Sequence, residues 1–313
     1  MATLSVHLFG KLHVTCPART VPSLTSRKAQ ELFCYLLLYR DRPHPRETLA
    51  GLLWGETSTA QSKTYLRKAL WQLQTTLGPH DAGTQQRTLL MHHDWVQINP
   101  HADLWLDVAA FEQVCNGIQG MLGEQLNHST AEALREAVAL YHGDLLDGWY
   151  QDWCLYERER LQNAYLALLD KLMGYCEVHQ EYESGLVYGA QILRYDRARE
   201  HTHRRMMRLH ALAGDRTAAL RQFERCTAIL EEELGVKPTA YTVQLHEQIM
   251  RNLLGGDALT PEHPLATAEA TPPLADILER LKHLQSALTG FQKRIQRDIQ
   301  AVEQALHSWY SPR

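Results

Sequence analysis

The sequence has no uninterrupted apolar run near the roughly 18 residues that a membrane-spanning helix needs. Its opening residues, MATLSVHLFGKLHV, lack the basic start and long apolar stretch of a signal peptide, so a cytoplasmic protein is expected. Cysteine is sparse: Cys16, Cys34, Cys115, Cys154, Cys176 and Cys226 are scattered, with no CxxC pair. Most sit among apolar neighbours, which speaks for free buried thiols rather than disulfides or a zinc site. There is no phosphate-binding glycine loop, no GxGxxG after a strand, no HExxH and no serine or cysteine in a nucleophile setting. An enzyme is not expected, nor is a cofactor or a metal.

Acid is missing from one part of the chain. The formal net charge over 313 residues is −4, yet residues 1–100 hold eleven Lys and Arg against six acids. That part therefore carries +5 and the remainder −9. A basic N-terminal part on an acidic body is the asymmetry expected when one part touches nucleic acid and the rest does not. The length suits two or three domains.

The shortage is sharpest over residues 59–78, TAQSKTYLRKALWQLQTTLG, which contain no Asp or Glu. Wound as a helix, they place Leu66, Ala69, Leu70, Leu73 and Leu77 on one face. The opposite face carries Gln61, Thr64, Lys68, Trp71 and Thr75, flanked by Arg67 and Gln72. A solvated face ordinarily mixes signs, because i,i+4 pairs of opposite charge stabilise it. Lys, Arg, Gln and Thr together suit the major groove: cations meet phosphates or guanine, and amides pair with adenine.

The neighbouring residues supply a frame. Leu4, Val6 and Leu8 alternate with polar residues, Gly10 breaks the run, and Leu12 and Val14 resume it, which predicts a short antiparallel pair. Ser26 is placed to cap a helix over 27–39, residues 41–45 break it, and a second helix spans 46–54. After the third helix comes a polar loop, PHDAGTQQRT, then residues 89–91, a His92-His93-Asp94 turn and residues 95–98, which predict a hairpin. Strands, three helices and a closing hairpin make a winged helix-turn-helix, with the third helix in the major groove and the hairpin as its wing.

The helical wheel then assigns roles. Thr64, Lys68, Trp71, Gln72 and Thr75 face the groove, and Lys63 and Arg67 reach its phosphate walls. Trp71 has an equal alternative, packing against the wing near Trp95. Arg46 opens the second helix, whose N-terminus suits a phosphate. Arg87, His92 and His93 are candidate wing contacts, with exposed turn residues as the plainer reading of the histidine pair.

The run RKAQELFCYLLLYRDRPHPRETLAGLLWGE, followed by LRKALWQLQTTLG, resembles the DNA-binding domain of the SARP family, bacterial transcriptional activators with an OmpR-like winged helix. The resemblance places the family's recognition helix at 66–78. Many relatives end that helix in a pattern like RLRRxLG, where this chain has Gln72-Leu73-Gln74-Thr75.

From Asp107 the pattern is helical: 107–122, 130–142, 153–179, 181–194, 198–213, 215–234 and 239–254. Residues 175–186 align with 209–220 at an offset of 34, the period of tetratricopeptide repeats. Gly185 and Ala219 would let paired helices approach closely, with Leu220 and Phe223 filling the groove between pairs. The clusters 194–197 and 201–205 could hold an acidic partner, but inter-helix salt bridges are the favoured reading.

Tyr141-His142-Gly143-Asp144-Leu145-Leu146, with Trp149 and Trp153, and the stretch 231–238 resemble the bacterial transcriptional activator domain that follows the winged helix in that family. The resemblance implies dimerisation and recruitment of RNA polymerase to promoters bearing direct repeats.

Residues 255–273 read as a linker, rich in Gly, Pro, Ala and Thr. Beyond it Leu274, Leu281, Leu288, Ile295, Val302 and Trp309 recur every seven residues, and Ile277, Leu284 and Phe291 fill the other seam. Asp298 breaks that seam, and the drift fits a straight helix better than a long supercoil. Pairing with a second copy is the favoured fate of its stripe.

The fold expectation is mainly α: a winged helix (α+β) over 1–100, an all-α tetratricopeptide-like body over 101–254, and a C-terminal amphipathic helix over 274–310. The functional expectation is a DNA-binding transcriptional regulator acting as a homodimer on double-stranded DNA, away from membranes. The alternative is an adaptor whose winged helix contacts protein.

Overall fold

A computed structural model describes residues 4–17, 24, 26–77 and 87–252. The linker and the heptad helix expected beyond residue 254 lie outside these residues, as does most of the polar loop before the hairpin. Residues Met1–Gly256 form one compact unit.

The alternation at the N-terminus yields β1 (Leu4–His7), with Leu4 and Val6 buried, and β2 (His13–Thr15). They pair antiparallel with Val6 opposite Val14, as expected, and Gly10 supplies the positive φ of +80° between them. A third strand, β6 (Leu104–Leu106), joins the other edge of β1 in parallel. It was not anticipated, because three residues are too few to show a period.

The helices follow the pattern closely. Helix α1 (Arg27–Leu38) starts where Ser26 accepts a hydrogen bond from the Ala29 N–H at 3.4 Å. A two-residue strand, β3 (His44–Pro45), fills the expected break, and α2 (Arg46–Trp54) follows. Helix α3 (Thr59–Leu77) buries Leu66, Ala69, Leu70, Leu73 and Leu77. The hairpin is β4 (Leu89–Met91) and β5 (Trp95–Ile98), and β3 pairs with the outer edge of β5 in the order β3-β5-β4.

The body comprises α4 (Asp107–Gly117), α5 (His128–Leu140), α6 (Asp152–Val178), α7 (Tyr182–Tyr195), α8 (Glu200–Leu212), α9 (Arg216–Leu234) and α10 (Ala240–Met250). Helix α4 stops at Gly117 rather than reaching 122. Gly120 takes φ +76°, and residues Gly123–Gln125 form a 3-10 turn against α6.

The 34-residue offset is visible in the backbone. Gln180 and Gly214, equivalent at that offset, both turn the chain with positive φ, +60° and +82°. The Glu181 N–H bonds to the Cys176 carbonyl and the Asp215 N–H to the His210 carbonyl, each at 2.9 Å. Gly185 is buried, and a Cβ there would meet Leu209 Cδ1 at 2.9 Å, so the close approach is real. Leu220 and Phe223 pack on Met207, Leu245 and Ile249.

The β1 sheet and α1 rest on this body through defined contacts. The buried Asp107 carboxylate accepts hydrogen bonds from the Leu8 and Phe9 N–H groups at 2.8 and 3.0 Å, and from Val108 at 2.7 Å. Burial pushes this carboxyl above its ordinary range, against the opposing pull of those N–H donors. The expected turn at 141–146 returns the contact: Leu146 N–H bonds to Leu8 O and Gly10 N–H to Asp144 O, both at 2.9 Å. Arg158 holds the far side of that turn through the carbonyls of Leu145, Leu146 and Trp149. The Arg27 guanidinium lies 4.0 Å over the Trp149 ring, and Trp153 meets Tyr35 edge to face.

Arg197, Arg204, Arg205 and Arg208 are spent on internal contacts, in line with the reading favoured from the sequence. Arg205 lies between Asp170 at 3.4 Å and Glu177 at 3.5 Å, and Arg197 meets Glu233 at 3.1 Å. His203 is buried between the Arg197 carbonyl and the Gln222 amide, each at 2.8 Å. Burial lowers its pKa, so it folds as the neutral base. Stability should therefore be full above the unfolded value of about 6.5 and fall as pH drops through the folded one. His203→Gln should flatten the fall in melting temperature below that pH, read by calorimetry across a pH series. An unchanged slope would assign the acid sensitivity to other groups.

Candidate nucleic-acid interface

The outward face of α3 is set by its buried one. With Leu66, Leu70 and Leu73 inward, Gln61, Lys63, Thr64, Tyr65, Arg67, Lys68, Trp71, Gln74 and Thr75 are all exposed, and none is acidic. Thr64 and Thr75 turn their hydroxyls back to the helix, donating to the carbonyls of Ala60 at 2.9 Å and Trp71 at 2.6 Å. That leaves their methyl groups as the outward surface. Arg67 Nη2 donates to Thr64 Oγ1 at 3.2 Å, and neither Arg67 nor Lys68 has an ion pair among the described residues.

One acid reaches this face from elsewhere. Glu47, in the first turn of α2, accepts a hydrogen bond from Lys63 Nζ at 2.7 Å. That bond holds the Glu47 carboxyl below its ordinary range. Glu47 escaped the sequence reading because it is sixteen residues away on another helix.

Two concavities flank α3. Between α3 and the hairpin turn lies a groove of about 660 Å³, lined by Arg46, Glu47, Lys63, Arg67, His93 and Asp94. This groove gathers four of the expected contact residues from α2, α3 and the wing. The Arg46 N–H is tied to the Asp94 carbonyl at 2.9 Å, which docks the wing turn on the start of α2. The Arg46 Nε is buried without a hydrogen-bond partner among the described residues. On the other flank a cleft of about 550 Å³ is lined by Lys28, Trp54, Tyr65, Lys68, Trp71 and Gln72. Trp71 belongs here, 65% exposed, rather than against the wing. Trp95 instead stacks on His92, ring centroids 5.5 Å apart.

His92 and His93 are both exposed at the tip of the hairpin, and His93 Nδ1 is hydrogen-bonded to Asp94. Arg87 is exposed at the opposite end of β4, its carbonyl accepting from Asn99 Nδ2 at 2.8 Å. Among the described residues, no group of three His, Cys, Asp or Glu could hold a metal ion. No helix among them is long and apolar enough to cross a membrane. All six cysteines are free, with Cys34, Cys154, Cys176 and Cys226 buried.

The family profile of the bacterial transcriptional activator domain matches residues 106–250, from the end of β6 to the end of α10. The regulatory protein DnrI of Streptomyces peucetius is 27% identical over 258 residues, covering 78% of this chain and 92% of that protein.

The chain is thus similar to transcriptional regulators of the SARP family.

A solved structure extends the likeness of fold to the N-terminal part. EmbR of Mycobacterium tuberculosis, in complex with a low-affinity phosphopeptide, aligns with 85% of this chain and 67% of its own, at a TM-score of 0.59 and 17% identity. The architecture of a winged helix followed by a helical body therefore holds for this chain. Within it, the residues read from the sequence separate into a wing-side groove set, Arg46, Lys63, Arg67 and His93, and an outer-flank set, Lys68, Trp71 and Gln72.

Proposed function

We propose that this regulator binds double-stranded DNA sequence-specifically, as a homodimer on promoter direct repeats, and activates transcription by contacting RNA polymerase. The observation that carries this reading is the exposed, acid-free face of α3, with Arg67 beside the hairpin wing and neither Arg67 nor Lys68 in an ion pair among the described residues. In it, Lys63 and Arg67 meet phosphates, and Thr64, Lys68, Trp71, Gln72 and Thr75 meet base edges. Arg46 holds a phosphate at the start of α2, and Arg87, His92 and His93 contact the backbone from the wing. The polymerase contact and the dimer rest on the family resemblance, and the C-terminal heptad helix is the segment assigned to self-pairing.

The test is a band shift on a duplex from the chain's own upstream region, followed by footprinting. About four phosphate contacts predict a log–log salt slope near −3.6. The footprint should show two equally oriented half-sites. A salt-independent affinity, or none, would support a protein-binding adaptor.

Glu47 sharpens the reading. Its carboxylate offsets Lys63 at the edge of the wing-side groove. Glu47→Ala should therefore tighten DNA binding and steepen the salt slope by about one. Weaker binding would mean that the pair positions Lys63 productively.

A further inference from the structure

The cleft on the outer flank of α3 does not resemble a phosphate track. Its walls are aromatic: Trp54 and Tyr65 lie with ring centroids 6.4 Å apart, and Tyr65 and Trp71 are 43% and 65% exposed. Its rim is cationic, with Lys28 and Lys68, and none of its lining residues is acidic. Lys68 has no ion pair among the described residues, while Lys28 pairs with Glu31 at 3.0 Å and remains half exposed. Lys28 and the capping Ser26, both lining residues, belong to the N-terminal turn of α1, the positive end of that helix dipole. The cleft is thus built for an occupant with an apolar side chain among negative charges, and exposed Trp and Tyr are the residue types that anchor protein interfaces.

The same chain displays such a group. Helix α9 ends in Glu231-Glu232-Glu233-Leu234, and Gly235 turns the chain with φ +65°. The Val236 N–H returns to the Leu230 carbonyl at 3.3 Å and closes the cap. This leaves Leu234 59% and Val236 48% exposed at the tip. Three carboxylates surround them at the negative end of the α9 dipole. Arg197 answers Glu232 and Glu233 at 3.8 and 3.1 Å, but Glu231 has no ion pair among the described residues. No tip residue lines the cleft of its own chain.

We propose that the Leu234–Val236 tip of one copy docks in the Lys28–Trp54–Tyr65 cleft of the next, Leu234 packing on the exposed Tyr65 ring and Glu231 and Glu232 meeting Lys28. The two surfaces differ, so the contact is head-to-tail and repeats in one direction. That polarity suits direct repeats of DNA, whereas pairing of the C-terminal helices joins like with like. The contact itself forms without DNA, so its test is independent of the DNA-binding reading.

The experiment is sedimentation velocity on the full chain, without DNA, at low ionic strength and over a wide concentration range. Wild type should show a sedimentation coefficient that climbs with concentration and flattens in high salt. Lys28→Glu should weaken this association roughly tenfold or more, and so should the Glu231→Lys, Glu232→Lys double variant. Both sets of changes are on exposed side chains, and unchanged melting temperatures would verify the fold. An equimolar mixture of the two variants should recover the association, because each supplies the surface that complements the other. Pairing through the apolar C-terminal stripe would be indifferent to these charges. Variants that sediment as wild type, a mixture no more associated than its components, or a wild type with no concentration dependence would each overturn the proposal.

Discussion

Replacing Arg67 and Lys68 together by alanine is expected to lower DNA affinity by on the order of 10² at low salt and to reduce the salt slope by about one. Both side chains are exposed on α3, and neither is committed to an ion pair among the described residues. Each cation that neutralises a phosphate releases about one counterion, so losing Arg67 lessens both the affinity and its steepness in salt, while losing Lys68 removes a base contact. The comparison that gives the result meaning is Lys63→Ala. Lys63 already has Glu47 at 2.7 Å, so its removal should cost less than that of either neighbour. Gln72→Ala asks a different question. An amide that reads a base edge should alter which sequence is preferred, where an amide near phosphate would weaken all sequences alike. A double variant that binds as wild type would remove α3 from the interface and leave the adaptor reading.

The elements that proved legible share a reason. Helices α1 to α3 and α6 to α10 are long enough for the 3.6-residue period to fix which side is buried, and their ends carry chemical markers such as Ser26 and Gly235. The repeat was legible because Gly185 and Ala219 recur at a fixed spacing where helices touch. What escaped was non-local. Strand β6 has three residues and exists because β1 has a free edge. Glu47 reaches Lys63 from another helix, and no linear pattern announces that. The alternative for Trp71 was decided by the packing of the wing: Trp95 takes His92 as its partner, and Trp71 falls on the opposite flank beside Trp54. For the candidate site, the wheel identified the exposed face of α3. Its division into a basic groove and an aromatic cleft depends on what α1, α2 and the hairpin place on either side.

Asp107 is the residue on which the junction of the winged helix and the body most depends, and its loss should be the most destabilising exchange of a side chain in the described unit. It is fully buried and begins α4, one residue after β6. Its carboxylate satisfies the N–H groups of Leu8 and Phe9, nearly a hundred residues away, as well as that of Val108. Asp107→Ala would leave these donors buried and unpaired, at about 1–3 kcal/mol for each that finds no water. A total of about 3–5 kcal/mol corresponds to a fall in melting temperature on the order of 10 °C for a unit of this size. Asp107→Asn keeps one carbonyl oxygen but points an amide N–H₂ at backbone donors, so it should recover only part of the loss. The outward face of α3 is set by the burial of Leu66, Leu70 and Leu73 and not by this clamp. DNA affinity measured well below the melting temperature should therefore change little, although the protein melts early. A variant that melts as wild type would show that water replaces the carboxylate at Leu8 and Phe9. A variant that keeps its melting temperature but loses DNA binding would show that the clamp sets the position of α3 rather than the stability of the unit.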